Sequence, residues 1–197
     1  AGVATAQSFQ GAGDTVVVGP DESYDSVEGI AGTVIVRGTV TEDVSTAAGS
    51  VHVTEGGAVG GDVDAAAGTV RIDGAVDGDV QAAGGSVSVG STGTVGGDLD
   101  AGASYVELNG TVGGDVRAGA ETVVLGPSAV VGGTVRYDAE TFARAPGATV
   151  EGSVVRDERL GETVASDPVP GWVGALYGLL ANVILGVLLL VVFPTFS

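Results

Sequence analysis

The chain of 197 residues has no cysteine, no lysine, a single histidine and a single tryptophan. Without cysteine there is no disulfide, no thiolate metal site and no cysteine nucleophile. The lone His52 cannot supply the ligand set of a zinc hydratase, and it stands between Val51 and Val53 in an alternating stretch, so it is expected on the surface. It would also be the sole base for Ser-His-Asp chemistry, and no nucleophile turn accompanies it. Four Tyr and four Phe are too few for the sugar platforms of β-helical lyases and glycosidases. No enzyme and no cofactor is therefore expected. All seven cations are arginine, against 25 carboxylates and a net charge of −18. Such an acidic shell repels nucleic acid and anionic headgroups. Its lack of lysine fits a halophilic protein, since at about 1 M salt charges are screened beyond roughly 3 Å.

What the chain has in abundance is repetition. Val-x-Val, or its Ile and Leu variants, opens units at Val34, Val51, Val70, Val87, Val106 and Val123, spaced 17, 19, 17, 19 and 17 residues apart. A second apolar column runs Val40, Val59, Val76, Val95, Val112, Val131 and Val150. A third runs Val44, Val63, Val80, Leu99, Val116, Val135 and Val154, and a fourth, of small residues, Ala65, Ala82, Ala101 and Ala118. A fixed period near 18 residues marks a stacked repeat, whose units cannot bury their apolar faces alone. Period-two alternation of Val and Ile within each unit means strands. Three short strands of about six residues per turn predict a single-stranded parallel β-helix of triangular section, with coils about 4.8 Å apart. A weaker first coil can be read from Val16, Val17 and Val18 to Val27 and Ile30, making seven to eight coils. Left-handed hexapeptide helices share the coil length, but their apolar residues recur every six. Here the inward steps are four or six to eight, which favours a right-handed coil.

The third column is preceded by Asp43, Asp62, Asp79, Asp98 and Asp115, which should face outward in a stack. Like charges at that spacing repel by roughly 1 kcal/mol per pair in water. Two arrangements offset this: acceptance of backbone N–H groups in Asx turns, which we favour, or cations between rungs at Asp62, Asp79, Asp98 and Asp115.

Val59-Gly60-Gly61-Asp62-Val63-Asp64-Ala65 and Val112-Gly113-Gly114-Asp115-Val116-Arg117-Ala118 resemble the repeat of the bactofilins, the polymer-forming cytoskeletal proteins. The resemblance covers about residues 33–154. It implies a right-handed, triangular β-helix that polymerises end to end into non-polar filaments without a nucleotide. Typical members are cytosolic, whereas this chain carries features of a membrane protein.

Those features lie at its ends. Residues 171–196 hold no charge, and residues 173–193, at 1.5 Å per residue, span roughly 30 Å, the thickness of the hydrocarbon layer. Trp172, Tyr177, Phe193 and Phe196 sit near the boundaries, as interfacial aromatics do. A C-terminal transmembrane helix is expected, with Gly174, Gly178, Asn182 and Gly186 on one stripe as its packing face. Ala4-Thr5-Ala6 has the small-x-small form that ends a signal peptide, so residues 1–6 read as its remnant. The domain plan is then an N-terminal segment 1–14, a β-helix 15–155, an acidic Pro-containing linker 156–170 and the membrane helix 171–196. The acidic linker gives no positive-inside reason for a cytoplasmic placement and, together with the signal-peptide remnant, argues for a β-helix on the extracytoplasmic side of the cell membrane.

Function follows as a membrane-anchored scaffold of the cell envelope or cell shape, associating with itself, with other membrane helices or with envelope proteins. Unpaired strand edges at the ends of the rod would mediate self-association. The candidate residues are Val16, Val17 and Val18 at one end and Tyr137 and Phe142 at the other, where capping is the alternative role. The rival reading is an acidic surface module that binds cations or polysaccharide.

Overall fold

The computed structural model describes residues 8–158 and Leu160. Within them every regular element is a β-strand. Ten-residue strands alternate with two-residue strands: β1 (Phe9–Val18), β2 (Ser23–Tyr24), β3 (Val27–Val36), β4 (Thr39–Val40), β5 (Val44–Val53), β6 (Ala58–Val59), β7 (Val63–Ile72), β8 (Ala75–Val76) and β9 (Val80–Val89). The series continues with β10 (Thr94–Val95), β11 (Leu99–Leu108), β12 (Thr111–Val112), β13 (Val116–Leu125), β14 (Val130–Val131), β15 (Val135–Arg144), β16 (Thr149–Val150) and β17 (Val154–Arg156). Odd-numbered strands form one parallel sheet in chain order and even-numbered strands a second. The chain therefore winds as a parallel β-solenoid of about eight turns.

The expected columns stand in register. Val63 pairs with Val80, Val80 with Leu99 and Leu99 with Val116, and all four are at most 1% exposed. The expectation of three six-residue strands per coil needs revision, because two faces form one long strand that bends. In β7, Val63, Ala65 and Ala67 point inward, Gly68 and Thr69 both turn out, and Val70 and Ile72 point in again. The ladder skips that bend: Ala48 pairs with Ala67 and Ser50 with Thr69, leaving Gly49 and Gly68 unpaired. A Cβ on Gly68 would stand 2.8 Å from the Gly49 carbonyl oxygen, so the bend brings backbones into close approach. The third residue of each Val-x-Val forms a further core column, Val36, Val53, Ile72, Val89, Leu108 and Leu125, at most 1% exposed.

The alternation of 17 and 19 is confined to one corner. The turn after the long strand is two residues in Arg37-Gly38, Asp73-Gly74 and Asn109-Gly110, and four in residues 54–57 and 90–93. At the other corner, the turn before each long strand keeps three residues from β4 onward. That constancy holds the aspartates in line.

The first coil begins at Phe9, earlier than the pattern from Val16 suggested, and Val27 and Ile30 belong to the second. No helix among the described residues is long and apolar enough to cross a membrane. The apolar run with Gly174, Gly178, Asn182 and Gly186, and the signal-peptide remnant 1–6, lie outside the described residues.

Candidate assembly surfaces and the aspartate rungs

At the three-residue corner the backbone N–H of one coil has no carbonyl to meet, and a side chain fills the gap. Asp43 Oδ1 accepts from the N–H of Asp62, Asp62 from Asp79, Asp79 from Asp98 and Asp98 from Asp115, each at 2.8 Å, and Asp115 from Thr134 at 2.7 Å. These are charge-assisted bonds at short distance. The rungs join successive coils, whereas an Asx turn would bond within one turn; the favoured N–H acceptor role holds, but the donor comes from the next coil.

The glycine at this corner has the same origin, whether it precedes an aspartate, as Gly61, Gly78, Gly97 and Gly114 do, or Thr134, as Gly133 does. A Cβ on Gly61, Gly78, Gly97, Gly114 or Gly133 would run into the Oδ1 of Asp43, Asp62, Asp79, Asp98 or Asp115 respectively. Gly-Asp is thus a two-coil motif, in which the glycine admits the carboxylate from below and the aspartate reaches the coil above. The run ends where the chemistry changes, at Ser26 before Asp43 and at Thr134 and Ser153 after Asp115.

Asp64 and Asp73 titrate in opposite directions. Burial of the Asp64 carboxyl, with Asp62 and Asp43 nearby, raises its pKa above the ordinary aspartate value. Its Oδ1 is buried and accepts no hydrogen bond. Its neighbour on β9 is Gln81, whereas the equivalent Asp100 meets Arg117, whose Nη1 lies 3.3 Å from Asp100 and 3.4 Å from Asp98. For Asp73, burial also pushes upward, but hydrogen bonds and charge from Arg71 and His52 outweigh it and hold the pKa low. Arg71 Nε lies 2.6 Å and His52 Nε2 2.8 Å from Asp73 Oδ2. His52 is therefore on the surface as expected, and engaged in an ion-pair cluster that its isolated position in sequence did not suggest. Among the described residues no three His, Asp or Glu side chains converge to hold a metal ion.

The candidate end residues divide by side-chain direction. Val16 and Val18 are core, at 7% and 1% exposure, while Val17 is 42% exposed on the flank of the rod. Tyr137 stands in the alanine column above Ala118, Phe142 in the valine column above Val123, and their rings stack with centroids 4.0 Å apart. The other end has its own pair, which the sequence reading passed over. Phe9 continues the column of Val27 and Val44, and Tyr24 that of Val40. All four rings are partly buried against the core. Extending the columns one coil backward, across a turn shortened to Asp25-Ser26, would have found them. Tyr105, the one other described aromatic, faces outward in the serine-threonine column at the bend, between Ser86 and Thr122. Among the described residues, inward aromatics thus occur only in the two terminal coils.

A family model described as Bactofilin, polymer-forming cytoskeletal, matches residues 65–155. No curated protein and no solved structure matches the chain significantly. The family match bears out the resemblance carried by the Gly-Asp-Val repeat. The model's description is that of a structural, polymer-forming family, and the match supports a scaffold rather than an enzyme.

Proposed function

We propose that this chain, whose coils carry a bactofilin domain, is a membrane-anchored scaffold that self-associates through the ends of its solenoid and organises the cell envelope or cell shape. The observation behind this reading is the ladder itself. Each interior coil is bonded on both sides by the same parallel pairing, and among the described residues β1 and β2 are bonded on one side only. An open strand edge over an apolar cross-section is a template for another chain. The uncharged residues 171–196 supply the anchor, and Gly174, Gly178, Asn182 and Gly186 a packing face for other membrane helices. The acidic linker favours an extracytoplasmic solenoid at the cell membrane.

Sedimentation velocity of the detergent-solubilised full chain, in high salt and without nucleotide, tests the core of this reading. Concentration-dependent species above the monomer are expected, and a monomer at every concentration would sink self-association. Deleting residues 171–196 should release the protein from carbonate-washed membranes; retention would remove the anchor.

The second reading, an acidic cation-binding module, has one observation in its favour: the unbonded Asp64 Oδ1 beside Asp62 and Asp43. Calorimetry with Ca²⁺ on the full chain and on Asp62→Asn/Asp64→Asn decides it, since equal heats in both would end it.

A further inference from the structure

We propose that Asn109 is an N-glycosylation site, whose side-chain nitrogen takes an oligosaccharide from a lipid-phosphate-linked donor on the outer side of the membrane. This goes beyond the scaffold reading and rests on its extracytoplasmic placement of the solenoid.

The chain has two asparagines, and one of them, Asn182, lies in the apolar run. The other opens Asn109-Gly110-Thr111, the Asn-x-Thr tripeptide with a non-proline middle that accepts N-linked glycans. It falls at a two-residue corner, between the end of β11 at Leu108 and the start of β12 at Thr111. A Cβ on Gly110 would run into the carbonyl oxygens of Gly93 and Gly90, so the coil below holds the middle residue as glycine. Gly110 is buried, while Asn109 is partly exposed and Thr111 exposed, so the amide and the hydroxyl that mark an acceptor flank a fixed backbone. The other two-residue corners, Arg37-Gly38-Thr39 and Asp73-Gly74-Ala75, have no asparagine.

The side chain is turned the right way for the reaction. Asn109 Nδ2 donates to Glu107 Oε1 at 2.6 Å. A carboxylate can only accept, so the nitrogen is the amide atom on the side of Glu107, in the outward column of β11. The amide oxygen sits against Gly126 of the next coil, where a Cβ would collide with it. Asp73 Oδ1 makes the same approach to Gly90. Aspartate therefore meets the packing of this corner, and in a chain with 25 acidic residues what asparagine adds at 109 is the nitrogen. In the transfer, Nδ2 forms a bond to the anomeric carbon of the donor sugar while that carbon's bond to the phosphate oxygen breaks. The lipid phosphate leaves with the bonding electrons, one amide proton passes to a basic group of the transferase, and nothing is oxidised or reduced. β11 belongs to the sixth of about eight turns, so a glycan at its corner leaves the terminal coils clear.

Mass spectrometry of the full chain, purified from the membranes of its source cells, tests the site. Wild-type protein should carry mass beyond its sequence, in whole sugar residues, on the peptide that contains Asn109. Asn109→Gln and Thr111→Ala should abolish it, and Thr111→Ser should keep it. Thr111→Ala is a mild change for the fold, because Ala58 and Ala75 occupy the same column. A glycan that persists in Asn109→Gln would overturn the assignment, as would a wild-type peptide of unmodified mass. Protease added to spheroplasts separates that failure from failure of the placement. A solenoid cut from outside yet unmodified at Asn109 sinks the site alone. A solenoid protected until the membrane is lysed sinks the placement, and the site with it.

Discussion

The middle coils and the terminal coils obey different rules. In the middle, inward positions are Val, Leu, Ile and Ala, and the three-residue corners carry aspartate rungs. Thr46, whose hydroxyl donates to the Gly29 carbonyl, is the one buried polar side chain among the described residues. At the ends the aspartate gives way to Ser26, Thr134 and Ser153, and aromatic rings enter inward columns. A middle coil is covered above and below, so small β-branched side chains fill its section and a carboxylate can always find the next N–H. Among the described residues a terminal coil has cover on one side, where a ring shields more apolar area than a valine. The repeat thus encodes propagation, and departures from it encode where propagation within one chain stops.

The sharpest test of this contrast is a pair of core truncations. Leu108, 1% exposed in the middle, should lose about 2–5 kcal/mol on Leu108→Ala. Phe142→Ala removes a larger side chain but should cost less in denaturant unfolding, because the ring is only partly buried. A greater loss at Phe142 would mean that the terminal coil is as tightly enclosed as the middle.

Next in size is the rung. Asp79→Ala leaves the Asp98 N–H without its acceptor and should cost about 1 kcal/mol. Thr134→Ala, at the same corner where the run has ended, should change stability by less than about 0.5 kcal/mol. Gly97→Ala should destabilise the wild type and harm the Asp79→Ala background less, since the obstructing oxygen is then gone. Additive losses in that double-mutant cycle would break the two-coil account of Gly-Asp.

The smallest effect concerns two carboxylates of one coil, Asp64 in β7 and Asp73 in the turn that follows it. Asp64 has a raised folded-state pKa, so its ionised form costs stability above the ordinary aspartate range, and the cost fades as pH falls below it. Asp64→Asn should therefore raise the melting temperature slightly at neutral pH and leave it unchanged in acid. Asp73 has a lowered pKa, so it stabilises above the ordinary range and loses that contribution as pH falls through its folded-state value. Asp73→Asn should lower the neutral-pH melting temperature, with the difference closing in acid. Parallel pH profiles for the two variants would contradict the contrast between Asp64 beside Gln81 and Asp73 beside Arg71.

Much of this was legible from residue order. The columns headed by Val34, Val40 and Val44 stack as their spacing implied, because a period-two strand in a coil of fixed length has one way to hide its valines. The bend in the long strands was not legible, since Gly68-Thr69 reads as a break between strands until backbone pairing is seen to run through it. The N-terminal aromatics were missed for a related reason: the turn Asp25-Ser26 is one residue shorter than its successors, which shifts Tyr24 out of the sequence register.

Sequence alone determined the solenoid, its inward columns and its acidic, thiol-free surface, because these follow from periodicity and composition, which every coil restates. Tertiary structure decided what the Gly-Asp pair does and which carboxylates are compensated. Those depend on contacts between residues 17 or 19 apart, where the partner of a side chain is set by the coil above it rather than by its neighbours in the chain.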